Sequence, residues 1–437
     1  MAVAQRRNLT SLVVIGALLF LCASNSAWAQ QLRVSPSPEA LFADRLHIVL
    51  TEFNAGAEVE IRAERSMTFG GPAPQLFRSS ARFLADANGR VDLASAAPIA
   101  GSYTGVDPMG LFWSMSAVPE APSVDRYSEV RLAAYAKGRL LASTTVNIHG
   151  WLPSVEIRDV AAFPGSVFAA MPGAGRLPAI ILLHGSDGGS GTVRVMAPMF
   201  ASRGYAVLGL PYYSPPDQNG RRELEALPAA FSEIPIDRLE QARAWLARQP
   251  TVDAERIGLW GYSKGAEFAL VAAAHFPWIR AVVASAPSDV IWEGWGPNVA
   301  PGTSAGFSFH GRSLPFVPYD YRGVGIYDSI AGGRRAHPDR AAAARISVET
   351  FKGDLLVAGA GKDATWDSAY MAQNIAERRA EAGLKTTLLI FPDAGHGLTG
   401  DPWAPKGEGA AAEAESQAQR TMWAETFDFF NRTLGAQ

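Results

Sequence analysis

The sequence predicts an α/β fold, a mostly parallel sheet with helices on both faces, preceded by an all-β domain of the immunoglobulin-like sandwich type. Two changes along the chain predict it. Hydrophobic residues alternate with period two over residues 31–155, whereas beyond about residue 175 continuous apolar runs take turns with helically spaced stretches. Length agrees: 437 residues suit two domains, and 48% hydrophobic residues are enough for two cores, which excludes a disordered chain. Lys and Arg number 39 against 42 Asp and Glu, so no basic excess points to nucleic acid.

The N-terminus opens with Arg6 and Arg7, an apolar run from Leu12 to Leu21, and an Ala27-Trp28-Ala29 ending. A charged start, a short apolar core and an A-x-A end predict a secretory signal over 1–29, cleaved after Ala29, and a periplasmic or secreted protein. The run is short for a bilayer span, although an uncleaved anchor is the alternative. Once it is removed, no membrane span is expected. Cys22, the only cysteine, lies in this segment, and Leu21 before it is too bulky for a lipoprotein cleavage site. The mature chain then has no thiol for disulfides, catalysis or metal.

The first domain is expected over 31–155. Leu46, Ile48 and Leu50 alternate with His47, Val49 and Thr51, a turn follows at Asn54-Ala55-Gly56, and Val59 and Ile61 resume the alternation. Further strands are expected over 81–84, 130–135 and 140–148. Short strands without long helices suggest a sandwich.

The catalytic domain is expected over 160–437, with the boundary between Pro153 and Gly175. The run Ala179 to Leu183 reads as a strand buried on both faces. Strands are also expected over 205–210, 257–260, 281–284, 355–358 and 387–391. Helices are expected over 236–248, 264–275, 366–382 and 410–430. Such alternation implies right-handed crossovers and a parallel sheet. The stretch Gly407 to Gln419, rich in Ala and Glu, reads as an exposed helix start that needs no function. Residues 287–351 form a long Gly- and Pro-containing insertion with many aromatics, among them Trp292, Trp295, Phe307, Phe309, Phe316 and Tyr319. It is expected to cover the site and shape an apolar pocket; each ring taken singly is more simply a packing residue.

Gly261-Tyr262-Ser263-Lys264-Gly265 matches G-x-S-x-G, as does Gly302-Thr303-Ser304-Ala305-Gly306. Only the first sits between an expected strand and an expected helix, the setting of a nucleophile elbow. Ser263 is therefore the expected nucleophile; an N-cap serine is the bland alternative. Of seven histidines, His396 lies between two glycines just after the last strand, where a base would be delivered. Asp363 follows the preceding strand and is favoured over Asp367 to orient the imidazole, although it could simply cap a helix. The chain order Ser263, Asp363, His396 is that of α/β-hydrolases. The oxyanion hole is expected from the backbone N–H of Lys264 and from Gly185 and Ser186 in the loop His184-Gly185-Ser186-Asp187-Gly188-Gly189. His184 is assigned to that loop rather than to proton transfer. No Lys-[Ser/Thr] follows Gly188-Gly189, so a phosphate loop is excluded. Histidine spacing offers no metal site, and no cofactor is expected.

At this point a resemblance becomes specific. Gly101-Ser102-Tyr103-Thr104-Gly105-Val106-Asp107-Pro108-Met109-Gly110-Leu111-Phe112-Trp113 and the elbow Gly261-Tyr262-Ser263-Lys264-Gly265-Ala266-Glu267 closely resemble segments of the type I acyl-CoA thioesterase and bile-acid-CoA:amino-acid N-acyltransferase family. Tyr205 to Tyr213 and Asp363 to Ser368 fit as well. The resemblance implies an acyl-CoA thioester hydrolase with Ser263, Asp363 and His396 as its triad, and serine rather than cysteine at 263 implies hydrolysis rather than transfer. The partner is then a small acyl thioester. The leader marks an exported member, and the His184-Gly185 loop is closer to ordinary esterases than to the family's Gly-rich form. An exported carboxylesterase is the alternative, and a binding protein on a retired hydrolase scaffold is a third.

Overall fold

The computed structural model describes residues 29–68, 73–119, 125–173 and 175–435. The stretch 1–29 expected to be a leader, including Cys22, lies outside the described residues except for Ala29.

Residues 31–149 form two sheets around one core. Strands Gln31–Ser35, His47–Thr51 and Val91–Asp92 make a small antiparallel sheet. The larger sheet runs in the order Glu39–Leu41, Arg139–His149, Glu129–Ala136, Glu58–Met67, Gln75–Leu84, Ala100–Gly101. Period-two patterning explains the faces. Val59, Ile61 and Ala63 of one strand share a core with Ile48 and Leu50 of the other sheet, while Glu58, Glu60 and Arg62 between them face outward.

The second part begins a strand earlier than residue 160. Its eight-stranded sheet comprises β1 (Glu156–Asp159), β2 (Val167–Ala170), β3 (Leu177–Leu183), β4 (Ala206–Gly209), β5 (Val252–Tyr262), β6 (Ile279–Ser285), β7 (Asp354–Ala360) and β8 (Thr387–Phe391). The order is β1-β2-β4-β3-β5-β6-β7-β8. The first two pairings are antiparallel and the rest parallel. The sequence reading missed β1 because Glu156, Ile157, Arg158 and Asp159 are all exposed on this edge strand, so no hydrophobic period marks it.

Five helices flank the sheet: α1 (Gly191–Ala201), α2 (Arg238–Leu246), α3 (Lys264–His275), α4 (Ser368–Glu381) and α5 (Ala410–Leu434). The unbroken apolar run of β3 serves both faces. Ala179, Ile181 and Leu183 join a core with residues of α2, α3 and α4, whereas Ile180 and Leu182 join one with α1 and α5. Each fully buried aliphatic side chain contributes about 1.5–3 kcal/mol. The α/β-hydrolase class predicted from the sequence is the one observed.

The insertion after β6 is more ordered than a long irregular loop. Phe307–Phe309 and Arg312–Ser313 make a small sheet with Ile234–Pro235, and helices Ile326–Ala336 and Pro338–Ala343 follow. Several of its rings are core residues. Trp295 stacks on Phe231 with ring centroids 4.3 Å apart, and Phe307 packs on Phe231 and Phe268. They seat the insertion on the sheet. No described helix is long and apolar enough to cross a membrane.

Candidate active site

β5 ends at Tyr262 and α3 starts at Lys264, so Ser263 alone makes the turn. Its φ of 55° is in the left-handed region, which costs a non-glycine residue about 1–3 kcal/mol unless its surroundings hold it there. They do: Ser263 N–H donates to Ser285 O of β6 at 2.9 Å, and its carbonyl accepts from Ala266 and Glu267 of α3. Both motif glycines are required sterically. A Cβ at 261 would stand 2.1 Å from Gly265 O, and one at 265 would stand 2.2 Å from Leu183 O and 2.4 Å from His184 O. The start of α3 is thus pressed against the end of β3.

His396 lies in the loop after β8. Its Nε2 is 2.9 Å from Ser263 Oγ and its Nδ1 is 2.7 Å from Asp363 Oδ2. An ionised carboxylate only accepts, so the Nδ1 proton faces Asp363 and the bare Nε2 faces the serine hydroxyl. Burial alone would raise the Asp363 carboxyl. Hydrogen bonds from His396, Ser368 Oγ (2.6 Å) and the amide of Thr365 (2.8 Å) outweigh it and hold the group below its ordinary range. The rings of Tyr262 and Trp366 stand against the imidazole, at 5.2 and 5.9 Å.

Asp367, the alternative to Asp363, caps α4 by accepting from Tyr370 N at 3.2 Å. α4 starts at Ser368, two residues later than expected, because Asp363 turns the chain back on itself through the amides of Thr365 and Trp366. Ser304 of the second G-x-S-x-G is in a turn, and its hydroxyl meets Ser232 Oγ at 2.8 Å. Of the other six histidines, five are spent elsewhere or exposed: His47 on Asp92, His149 on Glu39, His275 on its own helix, His310 on Asp237, and His337 ahead of a short helix. His184 is fully buried and stacked on Tyr212 at 4.0 Å, and burial pushes its pKa down. Its two nitrogens meet Gly185 O and the Tyr212 amide, so it braces the loop as a neutral ring.

That loop lies beside the elbow. A Cβ at Gly185 would stand 3.4 Å from Tyr262 O. Tyr212 and Tyr213 hold it from behind by donating hydroxyls to His184 O (2.6 Å) and Ser186 O. Among the described residues the amides of Gly185 and Ser186 have no protein acceptor. The amide-bearing start of α3 at Lys264 lies next to this loop in the fold.

Three features were not read from the sequence. Lys264 turns its side chain inward, where Nζ donates to Glu267 Oε2 at 2.5 Å and lies over the rings of Phe231, Trp295 and Trp366. Burial pushes the Lys264 ammonium down and the Glu267 carboxyl up, each opposed by the other's charge. The i, i+3 spacing was the available signal. Ser368 bonds Asp363. Glu415 and Gln419 bond the backbone around His396, so the α5 start is not simply a solvated helix end; Gln419 is buried even though the first residues of the helix are exposed. No group of three or more metal-ligating side chains was found among the described residues.

A serine on a strained strand-to-helix turn, hydrogen-bonded to a histidine and through it to an aspartate at the edge of a mostly parallel sheet, defines an α/β-hydrolase. Comparison with known proteins narrows this. Residues 43–162 match the model for the acyl-CoA thioester hydrolase/BAAT N-terminal region, and residues 234–436 match the BAAT/acyl-CoA thioester hydrolase C-terminal model. The chain belongs to that family. The dienelactone hydrolase family model also matches, over 166–292. Similar proteins include the peroxisomal succinyl-coenzyme A thioesterase of Mus musculus, 28% identical over 83% of this chain and 87% of that one. Acyl-coenzyme A thioesterase 1 of Rattus norvegicus is 29% identical over 83% and 88%. The mitochondrial acyl-coenzyme A thioesterase 2 of Homo sapiens is 28% identical over 82% and 76%.

Proposed function

We propose that the protein is a serine-dependent acyl-CoA thioester hydrolase that works through an acyl-Ser263 intermediate. The observation that carries the reading is the hydrogen-bonded row from Ser263 through His396 to Asp363, at 2.9 and 2.7 Å, in a chain of this family. Ser263 Oγ attacks the thioester carbonyl carbon while His396 Nε2 takes its proton. The carbonyl oxygen becomes an oxyanion, facing the amides of Lys264 and of Gly185 or Ser186. Collapse breaks the C–S bond, and the imidazolium returns its proton to the departing sulfur. Water then attacks the ester, His396 takes a proton from it, and the carboxylic acid leaves as Ser263 regains its hydrogen.

The test is an acyl-CoA chain-length panel on the mature protein beside p-nitrophenyl esters. Preference for the CoA thioester, lost in Ser263→Ala, supports the reading; equal thioester turnover in Ser263→Ala overturns it. A second reading, an exported carboxylesterase acting on a substrate without CoA, is favoured by the dienelactone hydrolase match across the oxyanion loop and elbow. Indifference to the CoA moiety would select it. The leader over 1–29 supports export to the periplasm or medium. A mature N-terminus at Gln30, found by mass spectrometry of the exported protein, is the expected result, and an intact Met1 chain retained in the cytoplasm the contrary one.

A further inference from the structure

His396 sits between Gly395 and Gly397, in a loop whose backbone is tied by Leu398 N–H to His396 O at 2.9 Å and by Lys362 N–H to Ala394 O at 3.0 Å. Besides Asp363, α5 supports it from both sides. Glu415 Oε2 accepts the Gly395 amide at 3.1 Å, and Gln419 Nε2 donates to Gly397 O at 2.8 Å and to Glu415 Oε1 at 2.9 Å. The peptide groups on both sides of the imidazole therefore rest on one turn of one helix. The next residue, Arg420, donates a two-pronged pair of hydrogen bonds to Asp107 of the N-terminal domain, at 2.5 and 2.8 Å. Both side chains are largely buried, and such a fork fixes orientation as well as distance. Beyond His396 the chain also runs against that domain. Arg65 Nη1 donates to Trp403 O at 2.8 Å, and the Lys406 amide donates to Trp113 O at 2.8 Å.

We infer that the N-terminal sandwich is a positioning element for His396, acting through the Asp107–Arg420 pair and through Glu415 and Gln419. The inference rests on His396 being the base. The physical need is plain: a loop flanked by glycines loses its geometry readily, and a misplacement of about 1 Å at a reacting group costs on the order of 10²-fold in rate. Among the described residues neither Arg420 nor Gln419 hydrogen-bonds Ser263 or the imidazole, so both act through the loop and not on the substrate.

The test compares Gln419→Leu and Arg420→Met with a control, Arg203→Met. Arg203 also joins the two domains, donating to Asp44 at 2.7 Å and lying over Phe427 near the far end of α5, away from the His396 loop. The readouts are the rate of Ser263 labelling by a fluorophosphonate, kcat and KM for p-nitrophenyl butyrate, and Tm. Gln419→Leu and Arg420→Met should label and turn over about tenfold more slowly, with KM within about twofold. Arg203→Met should lower Tm and leave labelling within about twofold of wild type. Arg420→Lys, which keeps the charge without the fork, should recover part of the rate. A wild-type labelling rate in Arg420→Met, or an equal loss in Arg203→Met, would overturn the inference. Should Arg420→Met not fold, Arg420→Lys takes its place, and a wild-type labelling rate in that variant would overturn the inference. A wild-type chain that the probe does not label, or equal labelling of Ser263→Ala, would instead overturn the reading of the site itself, and the inference with it.

Discussion

Ser368 donates its hydroxyl proton to Oδ2 of Asp363 at 2.6 Å, the same oxygen that faces Nδ1 of His396 at 2.7 Å. Ser368 Oγ in turn accepts the Ala360 amide at 3.0 Å. The carboxylate is thus fixed to the end of β7 and the start of α4, and cannot turn to offer the imidazole anything but an acceptor.

Asp363→Asn should therefore remove activity while leaving the fold in place. An amide at this position can offer N–H to Nδ1, which drives the ring to the tautomer whose Nε2 carries the proton and cannot take one from Ser263. A fall in kcat on the order of 10⁴-fold with little change in KM is expected from steady-state kinetics. A loss below about tenfold would mean that the carboxylate does not orient the base.

Gly265→Ala tests the close contact behind the elbow. Its methyl group has no room against Leu183 O and His184 O, so either α3 or the loop that starts at His184 must move. Destabilisation of about 1–3 kcal/mol in urea unfolding is expected, together with slower fluorophosphonate labelling. Unchanged stability and labelling would show that the two segments are not pressed together.

The Lys264–Glu267 pair is buried, so its members are expected to be costly singly and dispensable together. Lys264→Met keeps the backbone amide but strands the Glu267 carboxylate, and should cost about 3–5 kcal/mol. Adding Glu267→Leu should restore most of that, short of about 1 kcal/mol for the lost bond to the Trp292 amide (3.1 Å in the wild type). A double-mutant cycle in urea measures this. Strict additivity of the two losses would refute coupling.

Acid should loosen the joint between the domains. Burial alone would raise the Asp107 carboxyl, but Arg420, the Met109 amide and the Trp113 indole hold it below its ordinary value. A depressed folded-state pKa gives stability that is present above the unfolded value of about 4 and is lost as pH falls through the folded value. The stability gap between wild type and Asp107→Asn should be full at pH 7 and shrink below about pH 4. A gap that stays constant down to pH 3 would show that this carboxylate is not the titrating group.

Much of this was legible in the chain. The β3 run reads as a strand buried on both faces because Ala179 to Leu183 contains no polar residue, and Ser263 stands out from Ser304 because only the first lies between a strand and a helix. Neighbours in sequence carry these signals. The edge strand β1 was not legible, since an exposed strand has no apolar period to show. Glu415 and Gln419 looked like parts of a solvated helix start, because an Ala- and Glu-rich composition is the same whether or not the loop of His396 rests on it.

Taken alone, the sequence determined the central strands and the main flanking helices, where the chain turns sharply at Ser263, and which histidine and aspartate follow the last two strands. Those outcomes depend on periodicity and turn chemistry within a few residues. Tertiary structure alone decided that Ser263, His396 and Asp363 meet at hydrogen-bond distance, that Lys264 is buried on Glu267, and that Arg420 clasps Asp107 from 313 positions away. Such pairings follow from how whole layers pack, and no local pattern records a partner that only the closed fold brings near.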